Sequence, residues 1–566
     1  EEVEAGSIVL LRNEGGTLPL ASGTRVSLLG RGAADPVYDG TGAAFIDLAH
    51  AVDLRTSCVS AGLEVNDAAF DFLVAQAPGH PRATVGTLDA PETVSYYLGE
   101  VPWSEYPEDV RQGIEGTVGV VVISRPSGEG ADLSQDLLAS LESGVSQTFV
   151  PNDETANYVE GQHQLELCAE ELELLREVKA RCQKLVVLLN VATTMEVGPL
   201  VEPGGPCEAD AILEIGFPGE SGLRAVARAL AGEVNPSGHT CDLWAADLSA
   251  TPSFNNFGDH TYTDVTDYYT SIGSGAHFVE YAEGIYVGYR YYETAAVEAA
   301  AGNYPGFDYD AAVTFPFGFG LSYTSFKREL LDVRREDGDV VASVRVSNEG
   351  QVAGRDVAQL YSTPPTSLSV EKSAVSLVAF SKTDELAPGQ SAELELRVHE
   401  RDLASWDVAA GCWVLDAGKY VLSLRSDSHT VIDQREVELE GRRYQTDSAT
   451  GNEIRNRFDD VTSYMDAYVT QLSRADFAGT FPAPARDKTA ASVGLVLKEY
   501  DVAEHVDPSD EMPLTREKNG ISLSDLRGRP MDDPLWEKLL DQLGTNVMTI
   551  ILNNHNHGTD SIDSVG

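Results

Sequence analysis

Chemistry by proton transfer needs a carboxyl group held where a reacting atom can reach it, and one stretch of this chain is built to offer one. Residues 119–132 read GVVVISRPSGEGAD. Val120, Val121, Val122 and Ile123 form an unbroken β-branched run without polar alternation, which predicts a strand buried on both faces of a parallel sheet. Ser124, Arg125, Pro126, Ser127, Gly128 and Gly130 follow as a turn-rich loop, and Glu129 is the only carboxylate between its two glycines. In open α/β sheets ligands bind beyond the carboxyl ends of the strands, so Glu129 stands where such a fold does its work. Taken alone, a loop glutamate is more often a solvated surface group.

Other candidates carry weaker signals. Gly30 and Gly32 follow a predicted strand at Val26–Leu29 and suggest a phosphate-binding fingerprint, but the third glycine of that pattern is missing. His555 and His557 lie two residues apart near the end of the sequence, without further ligand spacing, so no metal and no cofactor is expected. Trp103 reads either as a sugar-stacking ring or as a core or interface tryptophan, the latter being commoner. The 6 cysteines are scattered without a CxxC pair and read as free thiols.

The elements that must position these groups alternate along the first part of the chain. Leu185–Leu189 and Ala211–Ile215 read as further buried strands, and Leu165, Cys168, Leu172, Leu175 and Cys182 recur at helical spacing. Pro218–Gly222 opens an alanine-rich helix running to Leu230, with Gly232 as its C-terminal cap. Strand, loop and helix in succession predict a parallel sheet covered by helices on both faces. From about Leu330 the pattern changes to short alternating strands, at Val341–Val346, Val357–Leu360, Ala392–Val398 and Tyr420–Leu424, separated by turns. That pattern predicts an antiparallel β-sandwich. Near the end, Trp536–Leu543 reads as a short amphipathic helix and Asn546–Leu552 as an apolar strand.

Size and charge exclude some functions. The 566 residues suggest about three domains. With 90 acidic against 40 basic residues the formal charge is −50, which makes nucleic acid and anionic membranes poor partners. No run approaches the roughly 18 apolar residues of a membrane helix, and no leader is visible ahead of Glu1, which is not a methionine. A cytoplasmic location is slightly favoured, and self-association as a homo-oligomer is left open.

Several segments together resemble the retaining β-glycosidases of glycoside hydrolase family 3. The loop matches that family's ISRxSGEGxDR pattern at Ile123, Ser124, Arg125, Ser127, Gly128, Glu129, Gly130 and Asp132, with Leu133 where the pattern has arginine. The segments SIVLLRNEGGTLPL at 7–20, AILEIGFPGESG at 211–222, GEVNPSG at 232–238, EGIYVGYRYY at 283–292 and FPFGFGLSYTSF at 315–326 also resemble family hallmarks. A loop resembling GTGSG reaches the sugar in the family, and here Thr41 is retained while Ala43 and Ala44 replace the serine and the last glycine. GRDVAQLYSTPP at 354–365 and RDLASWD at 401–407 resemble the fibronectin type III-like module that members append.

The resemblance implies a fold and a mechanism. The expected architecture is an α/β parallel-sheet αβα sandwich, then an antiparallel fibronectin III-like β-sandwich, then the start of a (β/α) barrel. Residues 1–245 would form the αβα sandwich with the acid/base loop, 246–326 a bridging segment packing back on it, 327–442 the fibronectin-like domain, 443–519 a connector and 520–566 the beginning of the barrel, an inverted domain order. Glu129 would be the proton donor, with Thr41, Arg125, Ser127 and Asp132 as substrate contacts. Glu283 and Arg290 read as structural. The nucleophile would come from the barrel, nearly all of which this sequence lacks, so the implied partners are a β-linked glucoside or oligosaccharide and that barrel portion. The implied activity is β-glucosidase; β-xylosidase, a noncatalytic carbohydrate-binding protein and a nucleotide-binding α/β protein are the alternatives.

Overall fold

The β-branched and leucine-rich runs do become strands buried on both faces. In the computed structural model, residues 1–40, 46–80, 98–127, 135–136, 159, 161–256, 260–264, 276–365, 370–456, 469–489, 503, 506, 508–509, 511, 514–553, 562 and 565 are described. The chain divides into two units, Glu1–Val496 and Leu497–Gly566.

In the first unit six strands form one sheet: β1 (Val9–Asn13), β2 (Arg25–Leu29), β3 (Glu64–Val65), β4 (Val118–Ser124), β5 (Lys184–Asn190) and β6 (Ala211–Glu214), in the spatial order β1-β6-β5-β4-β2-β3. β2 to β6 run parallel, and β1 pairs antiparallel with β6, so the sheet is mixed at one edge. All seven residues of β4 are buried. Alternate side chains leave opposite faces, as the period of a strand requires. Val121, Ile123, Val187 and Leu189 meet Leu174, Leu175 and Val178 of the helix Ala169–Arg181 on one side. Val120, Val122, Val186 and Leu188 meet Leu54 of the helix Leu54–Ser60, Phe70 of the helix Asp67–Gln76, and Val226 and Leu230 of the helix Leu223–Leu230 on the other. Gly232 follows that last helix at φ +82°, the left-handed geometry a glycine stop supplies. Trp103 lies in the first of these cores with 5% exposure, so the core alternative describes it.

The second half of this unit is antiparallel. Strands Phe326–Glu336, Asp339–Asn348 and Ser391–His399 form one sheet, Ser376–Lys382, Val357–Thr363, Gly418–Arg425 and Val431–Leu439 a second, and Ser405–Asp407, Cys412–Leu415 and Arg442–Tyr444 a third. Val340, Ala342, Val344 and Val346 point inward from one strand and face Leu360, Leu422 and Leu424 in a single core. Between the two halves, the aromatic segments form a cluster in which Tyr291 and Tyr292 join Tyr286 and Phe477. Tyr289 and Phe317 stack at 4.5 Å. Buried Glu293 accepts from Tyr309 Oη at 2.7 Å and Ser428 Oγ at 2.8 Å, tying the helix Tyr289–Ala300 to the loop after Gly418–Arg425. Glu283 is buried and takes a hydrogen bond from Asn256 Nδ2, in keeping with a structural role, whereas Arg290 is exposed.

In the second unit the helix Leu535–Leu540 is present, but the expected strand at 546–552 is instead the helix Thr545–Asn553. An apolar run of that length does not distinguish strand from helix. A strand must borrow its hydrogen bonds from a neighbour, and among the described residues of this unit there is no strand to lend them, whereas a helix closes its own. Among the described residues no helix is long and apolar enough to cross a membrane, and all six cysteines are free.

Candidate active site

At the carboxyl edge of the sheet, the loops that leave β2 and β6 and the last residue of β4 meet on one side chain, Asn190, the last residue of β5. It is fully buried. Its Nδ2 donates to the carbonyls of Val37 at 2.9 Å and Gly216 at 2.7 Å, while its Oδ1 accepts from Val37 N at 2.7 Å and Ser124 Oγ at 3.0 Å. A primary amide is suited to this task because it donates and accepts without charge. The turn Arg31–Ala34 after β2 approaches β4 closely: a Cβ on Gly32 would strike Ser124 Oγ, and one on Gly30 would lie 2.8 Å from the Val122 carbonyl, with Gly30 at φ +85°. The paired glycines that suggested a phosphate loop are thus accounted for by backbone approach.

Arg125 opens the loop after β4, and it is turned inward, with side-chain exposure of 2%. Its Nη1 and Nη2 donate to Glu171 Oε1 at 2.6 Å and Oε2 at 2.8 Å, a bidentate ion pair. Its remaining contacts run to the carbonyls of Gln164 at 2.5 Å from Nε, Ser124 at 2.9 Å from Nη1 and Glu166 at 2.7 Å from Nη2. Glu171 also accepts from Cys168 N at 3.0 Å, capping the helix Ala169–Arg181. One guanidinium therefore joins the residue where the chain leaves the sheet to the segment 164–171 where it returns.

Glu100 lies beneath the turn after β2. Its Oε2 accepts from Arg31 N at 2.8 Å and its Oε1 from Val101 N at 3.1 Å. Burial pushes its pKa up to about 8, the negative charge of Glu171 adds to the rise, and the backbone donors of Arg31 and Val101 oppose it. At neutral pH this carboxyl carries its proton. Arg31 is held by the His80 carbonyl at 3.1 Å from Nε and by Asp35 at 3.0 Å from Nη2.

Of the expected proton donor and substrate contacts, Arg125 and Ser127 are described, Ser127 as half-buried. Glu129, Thr41, Asp132, Ala43, Ala44, Leu133, His555 and His557 lie outside the described residues. Among the described residues no group of three or more His, Cys, Asp or Glu could hold a metal ion. Sequence reasoning overlooked Asn190, Glu171 and Glu100. A polar residue closing the apolar run LVVLLN was a visible signal for the first, and Glu three residues after Cys168 a weaker one for the second. Glu100 has no local signature.

Comparison with known proteins agrees with this architecture. Residues 8–289 match the model of the glycosyl hydrolase family 3 C-terminal domain, and residues 356–428 that of the fibronectin type III-like domain. A β-glucosidase from Ruminococcus albus is 30% identical over 442 residues, covering 75% of this chain and 39% of that protein. The solved β-glucosidase 3B from Thermotoga neapolitana, in complex with α-D-glucose, superposes with a TM-score of 0.60 at 27% identity, covering 78% of this chain and 54% of that one. A β-glucosidase from Paenibacillus barengoltzii superposes over 96% of this chain and 52% of its own at TM-score 0.67, and at 24% identity shares the fold. The chain thus spans 39% of the curated relative's length and about half of each solved chain.

Proposed function

From the premise that the chain belongs to glycosyl hydrolase family 3, we propose that it supplies the acid/base half of a retaining β-glucosidase acting on terminal β-D-glucosyl residues. Retaining glycosidases work with two carboxyl groups about 5.5 Å apart. In the first step Glu129 gives its proton to the glycosidic oxygen as a carboxylate attacks the anomeric carbon and the leaving group departs. In the second, the Glu129 carboxylate takes a proton from water as that water's oxygen displaces the enzyme carboxylate and frees the sugar. The attacking carboxylate belongs to the barrel, for which residues 520–566 are the proposed beginning. The proposed division is 1–245 for the sandwich with its acid/base loop, 246–326 for the bridge, 327–442 for the β-sandwich and 443–519 for the connector.

The observation that carries this reading is the family match running through the SGEG sequence, which follows directly on the buried strand β4. Thr41, Ser127 and Asp132 are the proposed sugar contacts. Arg125 is reassigned: its guanidinium is spent on Glu171 and three carbonyls, so its part is to hold the ends of the loop. The complete protein carrying this chain should hydrolyse an aryl β-glucoside faster than the β-xyloside. Glu129→Ala should lose at least about a hundredfold in kcat on a substrate with a poor leaving group, whereas on an activated aryl glucoside, where the second step limits the variant, azide should restore turnover as the glycosyl azide forms. An unchanged rate in that variant removes Glu129 from the mechanism, and absence of any hydrolysis favours the noncatalytic carbohydrate-binding alternative.

A further inference from the structure

A second cleft, remote in sequence from the SGEG loop, lies where the hairpin Ser405–Asp407 and Cys412–Leu415 meets the strand Ser376–Lys382 and the segment around Glu371. Its volume is about 640 Å³, within the range of small-molecule sites. Trp406 and Trp413 face each other across the hairpin with ring centroids 5.7 Å apart at 77°, so that they form a corner, and both are half-buried. Polar groups surround this corner. Arg290, Glu371 and Asp402 are exposed on the lining, which also includes the half-buried Ser405. Glu371 is fixed by Tyr286 Oη at 2.5 Å and Arg474 N at 2.6 Å, and Lys372 beneath it is buried against Asp416 at 3.1 Å. Glu371 and Lys372 are thus already engaged, while no described side chain engages the head groups of Arg290 and Asp402.

A pyranose presents a face of C–H bonds and a rim of hydroxyls that both donate and accept. The cleft supplies both complements: ring faces for the first, and for the second a donor in Arg290, acceptors in Glu371 and Asp402, and a hydroxyl in Ser405. Two exposed carboxylates against one guanidinium repel an anion. A purely apolar ligand would strip water from three charged groups without replacing it. We propose that this cleft is an ancillary binding site for a neutral β-linked oligosaccharide. The choice of β-linked glucose units rests on the proposed β-glucosidase activity; the carbohydrate class rests on the cleft alone.

The test is titration of the 566-residue chain with cellotetraose, followed by ligand-observed NMR, with maltotetraose and tetralysine as comparison probes. Cellotetraose should bind. Trp406→Ala and Trp413→Ala should each weaken it about tenfold, a loss of about 1.4 kcal/mol. Because either tryptophan also braces its hairpin, Arg290→Ala and Asp402→Asn provide the second arm: they should weaken binding about fivefold without moving Tm. Absence of cellotetraose binding, equal binding to all variants, or equal affinity for tetralysine would overturn the site. Preference for maltotetraose would overturn the β-linkage. Hydrolysis of a small aryl glucoside by the complete protein should be unchanged in Arg290→Ala, and loss of the Glu129 effect with variant-sensitive cellotetraose binding retained would sink the hydrolase reading while leaving the cleft in place.

Discussion

Arg125→Lys keeps a positive charge beside Glu171 and removes the fork. The native guanidinium makes five donations: two to Glu171 and one each to the carbonyls of Ser124, Gln164 and Glu166. An ammonium has three protons and cannot span both carboxylate oxygens and the carbonyls behind them, so at least two of those acceptors lose their donor inside the protein. Each hydrogen bond to a charged group is worth about 1.5–3 kcal/mol net, and the two together cost about 3–6 kcal/mol. A chain with several layers does not unfold as one step, so a global unfolding free energy is the wrong readout. Amide exchange within Val118–Ser124 and Ala169–Arg181 reports the local opening instead. At about 1.4 kcal/mol per factor of ten, exchange there should accelerate at least a hundredfold, with the antiparallel strands of the β-sandwich unaffected. A change under about 0.5 kcal/mol in those amides would mean that the fork does not hold the loop ends, and the reassignment of Arg125 would fall.

Glu100→Gln probes the buried acid. Its folded pKa is raised from 4.5 to about 8, so between those values the unfolded chain has released a proton that the folded chain retains, and stability falls as pH rises. At about 1.36 kcal/mol per pKa unit the loss reaches about 5 kcal/mol. The amide removes this slope but leaves one of the two backbone donors, Arg31 N or Val101 N, without an acceptor, at about 1–3 kcal/mol. The variant should therefore be less stable than the native protein at pH 4.5 and more stable at pH 8; parallel pH dependences in thermal unfolding would contradict the assignment. Asn190→Ala should destabilise the sheet edge by about 2–4 kcal/mol by orphaning groups of Val37 and Gly216, and Asn190→Asp should lower Tm further because it sets a carboxylate against two carbonyls. An aspartate variant as stable as the native protein would show that the amide donors are dispensable.

Local pattern carried most of the first layer of this protein. A run such as VVVI or LVVLL states its own burial on two faces, because side-chain direction along a strand is set by the backbone itself. The end of β4 at Ser124 could be located for the same reason, since the apolar run stops there. The antiparallel course of β1 at the sheet edge could not be read, since pairing direction depends on which neighbour has an open edge. The segment 546–552 went astray because its composition suits either element and only the availability of a strand partner chooses between them.

The side chains that build the carboxyl edge belong to a different order of information. Asn190 reaches Val37 across 153 positions, Arg125 reaches Glu171 across 46 and Arg31 reaches Glu100 across 69. Nothing in a short window marks these pairs. Sequence alone determined where hydrophobic free energy would drive strands and helices together. Tertiary structure decided which polar atoms, stripped of water by that collapse, would have to satisfy one another, because a buried donor or acceptor takes whichever partner the chain topology brings within about 3 Å.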